Sequence, residues 1–490
     1  MAVVVSGRRQ GASPALARRS AAHVTQMRLD GAHAHRRLAD WGPRIETITS
    51  QIVSGGYTVL ARARDLAVNN GYAAQGIEVF ASDLIGDGIK PSFLGDDEDL
   101  RKKKAAAYAE WVDEADADGH LDFYGQQDLV AREVFEAGEC FVRLRPRLLS
   151  DGLSVPLQLQ VLQSEMLPLR LNRRLESGNE IKAGIEVNGI GRPVAYHFLK
   201  SHPGDHHVQG STELDTVRVP AEFICHVFRK RSAGQMRGLT HLAPAMVPMF
   251  VLDRYDDAEL ERKRTASLFG GFIKSPAGEA GSPLEQRADD GDLSEDYGPT
   301  GDISLEPGVL HRLLDGEDIV FSEPADVGTN YEAFQYRSLL RISSALGLPY
   351  WAVTGDLRET SYASMRAGML QYRRQMSRLQ HGVIAYQLCR RVVRMFMDQA
   401  VLSGRLIIPG YAQTWREHVR ASYIPPRWEW VDPEKDINAL KAAIDARITS
   451  RRKVVEATGY DVEEIDAEIA EDEARLRGNS SRQNDGGKDA

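Results

Sequence analysis

The sequence has few cysteines and no long apolar segment, and each shortage excludes a class of protein. Among 490 residues there are three cysteines, Cys140, Cys225 and Cys389, which lack the paired spacing of a structural zinc site or a disulfide framework. The sequence has no run of about 18 apolar residues that could span a bilayer, and the N-terminus lacks the compact apolar stretch of a secretory leader. We therefore expect a soluble protein of a reducing compartment, with no membrane partner.

Familiar catalytic patterns are also missing. The sequence contains no GxxxxGK[ST] loop for nucleotide phosphates, no HExxH zinc motif and no GxSxG nucleophile elbow. The neighbouring histidines, His33 with His35 and His202 with His206 and His207, lie in polar segments where surface histidine is the ordinary explanation. The sequence therefore predicts no catalytic residue, no cofactor and no metal site.

Charge is unevenly distributed along the chain. The formal net charge of −9 argues against a surface that binds nucleic acid all over, because phosphate affinity comes mainly from Lys and Arg. Residues 1–50 form a predicted flexible basic arm, either a solvated tail or an arm that docks on nucleic acid or a partner; a transit peptide ranks last. Within its first 40 residues the charges are Arg8, Arg9, Arg18, Arg19, Arg28, Arg36 and Arg37, against only Asp30 and Asp40.

Apolar spacing predicts helices followed by a β-rich region. Ile77, Phe80 and Leu84 share one face of a helix expected within residues 57–85, which the turn Gly86-Asp87-Gly88 ends. Further helices are predicted at 99–116 and 124–137. Strands are predicted at 140–145, 157–162, 185–188, 194–199 and 223–228. The fold class is therefore α+β.

Two segments in the middle of the chain have unusual charge. Residues 243–269 can form one helix whose centre is almost entirely charged, a pattern typical of a helix in a wet, solvent-bridging setting. Residues 272–326 contain fourteen Asp and Glu but only Lys274, Arg287 and Arg312 as bases. Read alone, this second segment could be a partly disordered acidic insertion.

The last third of the sequence is strongly helical. One helix begins near Tyr331 and ends at Gly347-Leu348-Pro349. In the next, alternating steps of four and three predict a narrow seam for one partner helix, made by Met365, Met369, Tyr372, Met376, Leu379, Val383 and Tyr386. Eight arginines between 358 and 394 predict a solvated face or a surface for phosphate or an acidic partner. Final helices extend to about residue 477, and 478–490 are expected to be disordered.

Four ordered segments resemble the lambda-type bacteriophage portal protein family. They are residues 63–91 (ARDLAVNNGYAAQGIEVFASDLIGDGIKP), 226–245 (HVFRKRSAGQMRGLTHLAPA), 348–369 (LPYWAVTGDLRETSYASMRAGM) and 426–439 (PRWEWVDPEKDINA). Each motif alone is only moderately specific, whereas their order and spacing together are specific. The resemblance spans about residues 55–475.

The resemblance implies a mainly helical portal fold with a β-rich part, assembled as a ring of generally twelve copies. Its regions would be a wing at 51–240, a first stem helix at 241–271, an acidic clip at 272–329 and a second stem helix at 330–347. A tunnel loop and long wing helix would follow at 348–432, and crown helices at 433–477.

The family's function would be to form the channel at one capsid vertex for DNA packaging and ejection. The implied partners are the terminase large subunit, a head-completion or connector protein, the major capsid or scaffolding protein, and double-stranded DNA passing without sequence specificity. The location would be the virion, and the host cytoplasm during assembly. Carried onto this sequence, channel-facing residues are Asp253, Asp257, Glu261, Arg358, Glu359 and Arg366, and clip docking residues are Asp289, Asp290, Asp292, Glu295 and Asp296.

Two other classes of protein stay open on the sequence alone. A metal-dependent DNA-processing enzyme would need clustered carboxylates, and metal-dependent plasmid cleavage would reveal it. A non-viral helical scaffold or adaptor would use the seam for helix pairing and would form a small oligomer instead of a large ring.

Overall fold

The computed structural model describes residues 40, 42–205, 215–267, 271–274, 318–321, 328–358, 361–428 and 433–485. Its helices are α1 (Ile48–Asn69), α2 (Gly71–Ile85), α3 (Glu98–Val112), α4 (Phe123–Glu136), α5 (Met246–Ser267), α6 (Gly328–Leu346), α7 (Tyr350–Thr354), α8 (Tyr362–Leu379), α9 (Arg390–Leu402), α10 (Tyr411–His418), α11 (Pro433–Asp445), α12 (Arg451–Ala457) and α13 (Val462–Asp485). Its strands are β1 (Lys90–Phe93), β2 (Glu139–Pro146), β3 (Leu157–Leu162), β4 (Arg173–Arg174), β5 (Glu180–Lys182), β6 (Ile185–Val187), β7 (Pro193–Leu199), β8 (Thr216–Pro220), β9 (Ile224–Phe228), β10 (Gly271–Lys274), β11 (Asp318–Phe321) and β12 (Ala421–Ile424).

The first predicted helix is two helices, because Asn70 interrupts it. Asn70 has extended backbone, and its side-chain oxygen accepts a hydrogen bond from the backbone N–H of Ala73 at 2.9 Å, which caps α2. The prediction of one helix through 57–85 is therefore wrong at this position, although Ile77, Phe80 and Leu84 are buried on one face as expected.

The turn after α2 requires glycine. Gly88 has φ +107°, and a Cβ there would lie 2.4 Å from the Tyr124 ring. A side chain at Gly88 would therefore push apart α2 and α4, which pack against each other. The glycine-rich turn is explained by this close packing, with no phosphate needed.

An aromatic cluster forms the centre of the main core. The Trp111 ring lies 5.8 Å from Phe123 and 5.3 Å from Phe396, so it joins α3, α4 and α9. Its indole N–H donates to the Leu157 carbonyl at 2.8 Å, which satisfies the buried donor and ties β3 to the helices. The helical body and the first strands therefore fold around one hydrophobic core.

The strands form antiparallel sheets. Their orders are β3-β2-β9 and β4-β5-β6-β7-β8, and two pairs join β1 to β12 and β10 to β11. Phe141 of β2 packs against Tyr196 and Phe198 of β7, with ring centroids 5.9 and 5.3 Å apart, so the two larger sheets share a second core. The predicted β-rich region and the α+β fold class are confirmed.

The long helix of the last third contains a π-helical stretch. α8 continues through π-helical residues Gln380–Cys389 into α9. Tyr372, Met376, Leu379 and Val383 of the predicted seam are buried in the main core, but Tyr386 is 61% exposed. Tyr386 lies off this buried face because i→i+5 bonding turns the helix face relative to an α-helix.

The C-terminal segment is helical further than the sequence predicts. α13 continues to Asp485, whereas disorder was expected from residue 478. Ion pairs one turn apart, Arg475 with Glu471 and Arg477 with Glu473, stabilise its last described side chains. The apolar periodicity that was used to predict the end of the helix does not register such charge pairs.

A buried charge network joins β2 to the segment before α5. Arg237 donates to Glu139 at 2.7 Å and to the backbone carbonyls of Leu167 and Ala183 at 3.0 and 2.8 Å. His226 lies 3.0 Å from the other Glu139 oxygen, and Arg237 and Glu139 are almost fully buried. Arg237, which lies within the second sequence motif, is therefore a structural anchor.

Gly238 completes this anchor. Its N–H donates to Glu139 at 2.6 Å, and a Cβ on it would lie 2.2 Å from the Gly138 carbonyl oxygen. Because backbone stands in the way, no flexible side chain could move to make room. This position therefore accepts only glycine without a shift of β2 or of the 237–239 segment.

Candidate functional site

Helices α5 and α6 lie against each other through polar and aromatic contacts. Asp256 of α5 accepts hydrogen bonds from the Tyr331 hydroxyl at 2.9 Å and from the Gln335 amide at 3.4 Å. The rings of Tyr255 and Phe334 are 4.8 Å apart. The two predicted stem helices are thus neighbours, joined by hydrogen bonds and ring contacts.

One face of α5 presents apolar side chains to water. Val247, Phe250 and Val251 are 66, 55 and 57% exposed and lie at i, i+3 and i+4, which makes them adjacent on the helix. We call these three residues the α5 apolar patch. Adjacent exposed apolar side chains of this kind mark an interaction surface more often than scattered single ones do.

The three predicted channel acids on α5 do not share one environment. Asp257 and Glu261 are exposed. Asp253 accepts a hydrogen bond at 2.7 Å from the side-chain amide of Asn70, which is itself buried. Asp253 stays a predicted channel-facing residue, and within the subunit its carboxylate holds α5 against the junction of α1 and α2, because Asn70 has a donor left over after capping α2.

Arg358 lies in the loop after α7 and is held by two carboxylates. It bonds Asp356 at 3.0 Å and Glu332 of α6 at 3.2 Å. The side chains of Arg358 and Glu332 are largely exposed, whereas that of Asp356 is mostly buried. The hydrogen bond from Arg358 lowers the pKa of Asp356 to about 2, so this carboxylate is ionised at any physiological pH. The loop thus presents an oriented guanidinium beside α6.

The other predicted residues are placed apart from Arg358. Arg366 lies 3.7 Å from Asp436, so it links α8 to α11. Glu359 lies outside the described residues, as do the predicted docking residues Asp289, Asp290, Asp292, Glu295 and Asp296, most of the predicted clip and the basic arm through residue 39.

The described residues contain no group of three or more His, Cys, Asp or Glu that could hold a metal ion. His202 accepts a hydrogen bond from the backbone N–H of Gly204 at 3.1 Å, an ordinary turn contact. His33, His35, His206 and His207 are outside the part of the chain that is described. Across the same described part, no helix is long and apolar enough to cross a membrane.

Sequence reasoning missed the α5 apolar patch and the buried Arg237. Val247, Phe250 and Val251 precede the charged centre of α5, and their spacing alone does not distinguish a buried apolar group from an exposed one. The sequence did contain one sign of the buried Arg237, because Gly238 follows it inside a motif. A solvent-exposed arginine has no need of a glycine beside it. The sequence shows an excess of arginines in 358–394, but it does not indicate which of them lie close together in the fold.

The sequence is similar to those of known proteins over most of the chain. The family described as "Phage portal protein, lambda family" matches residues 34–380. A probable portal protein of Halomonas phage phiHAP-1 is 27% identical over 434 residues, covering 86% of this chain and 80% of that protein. Portal protein B of Escherichia phage lambda is 22% identical over 470 residues, covering 88% and 86%.

Solved structures with some likeness are more distant. One is the neck of an empty gene transfer agent particle, with TM-score 0.40, 14% identity and coverage of 78% of this chain and 95% of the other. Another is an HK97 family phage portal protein from Corynebacterium diphtheriae, with TM-score 0.31, 11% identity and coverage of 64% and 84%. Because the family match includes more than half of the sequence, the chain belongs to the lambda family of phage portal proteins.

Proposed function

We propose that identical copies of this chain assemble into a closed ring, twelve as the family resemblance implies, whose central channel passes double-stranded DNA during packaging and ejection. The observation that carries this proposal is the α5 apolar patch. A single chain leaves Val247, Phe250 and Val251 in water, and a neighbouring copy in a ring would cover them. Each contact in such a ring is heterologous, which means that it joins two different surfaces of the subunit. Repeating this contact by rotation closes the ring.

The charge of the stem region supports a channel through which DNA slides. Asp257 and Glu261 are exposed on α5, and the whole chain carries a net charge of −9. Acidic walls repel phosphate, so they would keep the duplex from binding tightly and stalling. We propose that the regions keep the predicted boundaries, including the acidic clip at 272–329 and the crown at 433–477.

We propose further that this portal protein is a structural component without catalytic activity of its own, located in the virion and, during assembly, in the host cytoplasm. The clip, including Asp289, Asp290, Asp292, Glu295 and Asp296, would dock the terminase large subunit and later a connector protein. The major capsid or scaffolding protein would contact the outer part of the ring. ATP chemistry belongs to the motor in this scheme.

The purified protein is expected to form rings. Native mass spectrometry should give a high multiple of the 54.4 kDa subunit mass, and negative-stain microscopy should show a central channel. A monomer or small oligomer would favour a helical scaffold or adaptor. Plasmid cleavage that needs added Mg²⁺ and copurifies with the ring would instead favour the DNA-processing enzyme.

Arg358 is proposed to make intermittent phosphate contacts beside the channel, and Glu359 and Arg366 stay predicted channel-facing residues. Replacing Arg358 by Glu should lower packaging yield in a reconstituted system and reduce the slope of its salt dependence by up to about one counterion. Arg358→Lys should retain most of the yield because it keeps the charge. Arg173→Glu, an exposed change on β4, is the matched control, and an effect equal to that of Arg358→Glu would refute the assignment.

A further inference from the structure

A second basic region lies away from the stem helices, between the five-stranded sheet and α9. It is a cleft of about 1110 Å³ bounded by β7, β8 and the start of α9. Among its lining residues are five arginines and two acids, namely Arg192, Arg218, Arg390, Arg391 and Arg394 with Glu222 and Asp398. We call this the arginine cleft.

Only part of its positive charge is neutralised within the chain. Arg218 bonds Glu186 at 2.8 Å, and Arg394 lies 4.0 Å from Asp398. Arg391 donates to the Ala221 carbonyl at 2.5 Å and Arg390 lies over the Tyr386 ring at 5.5 Å; among the described residues neither has a carboxylate partner. The cleft is therefore suited to a ligand that brings carboxylates or phosphates.

The same cleft also contains apolar and aromatic surface. Tyr386, turned outward by the π-helical stretch, is 61% exposed at its edge, and the half-buried Met395 lines it as well. A nucleic acid backbone offers charge but no apolar side chains to cover this surface. An acidic amphipathic helix offers both, so the lining favours protein over nucleic acid.

The chain itself carries such a helix. Between residues 462 and 477, α13 has seven acids, Glu463, Glu464, Asp466, Glu468, Glu471, Asp472 and Glu473, against Arg475 and Arg477. Ile465 and Ile469 lie one turn apart on it, and Ile469 is exposed. The beginning of α13 is tied to its own chain through Glu463 with Arg101 and Asp466 with Arg451, whereas the residues from 467 to 477 are exposed.

We propose that the arginine cleft of each subunit receives α13 of a neighbouring copy, an inference that rests on the ring proposed above. Arg390 and Arg394 are one helical turn apart, and so are Glu468 and Asp472, so the two helices can align their charges at the same spacing. Ile469 would then face Tyr386 and Met395. This contact would join the proposed crown of one subunit to the proposed wing of the next.

Engineered cysteines test the contact directly, because Cys140, Cys225 and Cys389 are all buried. Rings of a chain carrying Arg390→Cys with Glu468→Cys should form a ladder of covalent multimers after mild oxidation, seen on a denaturing gel without reductant. Rings carrying Arg374→Cys with Glu468→Cys should not, because Arg374 is an exposed position on α8 outside the cleft.

Charge reversal gives a second test. Arg390→Glu with Arg394→Glu should raise the dissociation constant between subunits by roughly tenfold, and so should Glu468→Arg with Asp472→Arg in a separate variant. Combining all four changes should restore most of the lost affinity. Intact rings that give no ladder, or a crosslink within one chain, would overturn this inference and leave the ring untouched. Absence of rings in the unmodified protein would overturn both proposals.

Discussion

Replacement of Arg237 by alanine is expected to destabilise the folded subunit by about 3–5 kcal/mol, because it leaves a buried carboxylate without its main cation. Glu139 is almost fully buried, and its two oxygens are occupied by Arg237, His226, Ser164 and the Gly238 N–H. Removing Arg237 also leaves the carbonyls of Leu167 and Ala183 without its donors.

This prediction is checked by denaturant unfolding at fixed subunit concentration, since assembly makes apparent stability depend on concentration. The matched control is Arg174→Ala, which breaks the ion pair of Arg174 with Glu180 at the surface and should cost no more than about 1 kcal/mol. A loss of under about 1 kcal/mol for Arg237→Ala would contradict the assigned role of the network. Replacing both Arg237 and Glu139 by apolar residues should recover part of the loss.

The same network sets a direction for pH dependence. Burial alone would raise the pKa of Glu139, but the charges and hydrogen bonds of Arg237 and His226 hold it well below its usual value. The stability that the ionised carboxylate contributes is therefore present above the ordinary carboxyl pKa of about 4.3 and is lost as the pH falls below it. The advantage of the native chain over Glu139→Gln should shrink in the same range.

Local patterns in the sequence predicted the local structure well. Alternating residues gave β3 and β7 to within about one residue, because side chains in a strand point to opposite faces with period two. The charged helix and the returning helix were also found where expected, as α5 and α6. These elements depend on neighbours within a few residues, so the sequence determines them directly.

Long-range contacts could not be predicted in this way. β1 pairs with β12, with Lys90 opposite Ile424, and nothing in either short segment specifies the other. Asp253 resembled its exposed neighbours in sequence, yet its partner Asn70 is far away along the chain. The buried position of Arg237 depends on Glu139, nearly a hundred residues before it. In each case the deciding partner is distant in sequence, so periodicity gives no sign of it.

Val251→Asp is expected to prevent ring assembly while leaving the subunit folded. In the single chain Val251 is largely exposed, so a carboxylate there stays hydrated and the helix is little affected. In the proposed ring the same carboxylate would be buried against a neighbour with no cation assigned to it. A cost of about 2 kcal/mol at each contact would weaken each one roughly 30-fold, and every contact of the ring carries the change.

The measurement is native mass spectrometry with size-exclusion chromatography, and the subunit's fold is followed by circular dichroism. Val68→Asp is the matched control, because Val68 is 82% exposed on α1 and lies outside the α5 apolar patch. The control should assemble as the native chain does, since its carboxylate would stay in water. Normal rings from Val251→Asp would mean that the α5 apolar patch is not covered by a neighbouring copy, and the ring would then need a different interface. A folded, monomeric Val251→Asp beside an assembled Val68→Asp would separate the assembly role of α5 from any general effect of added negative charge.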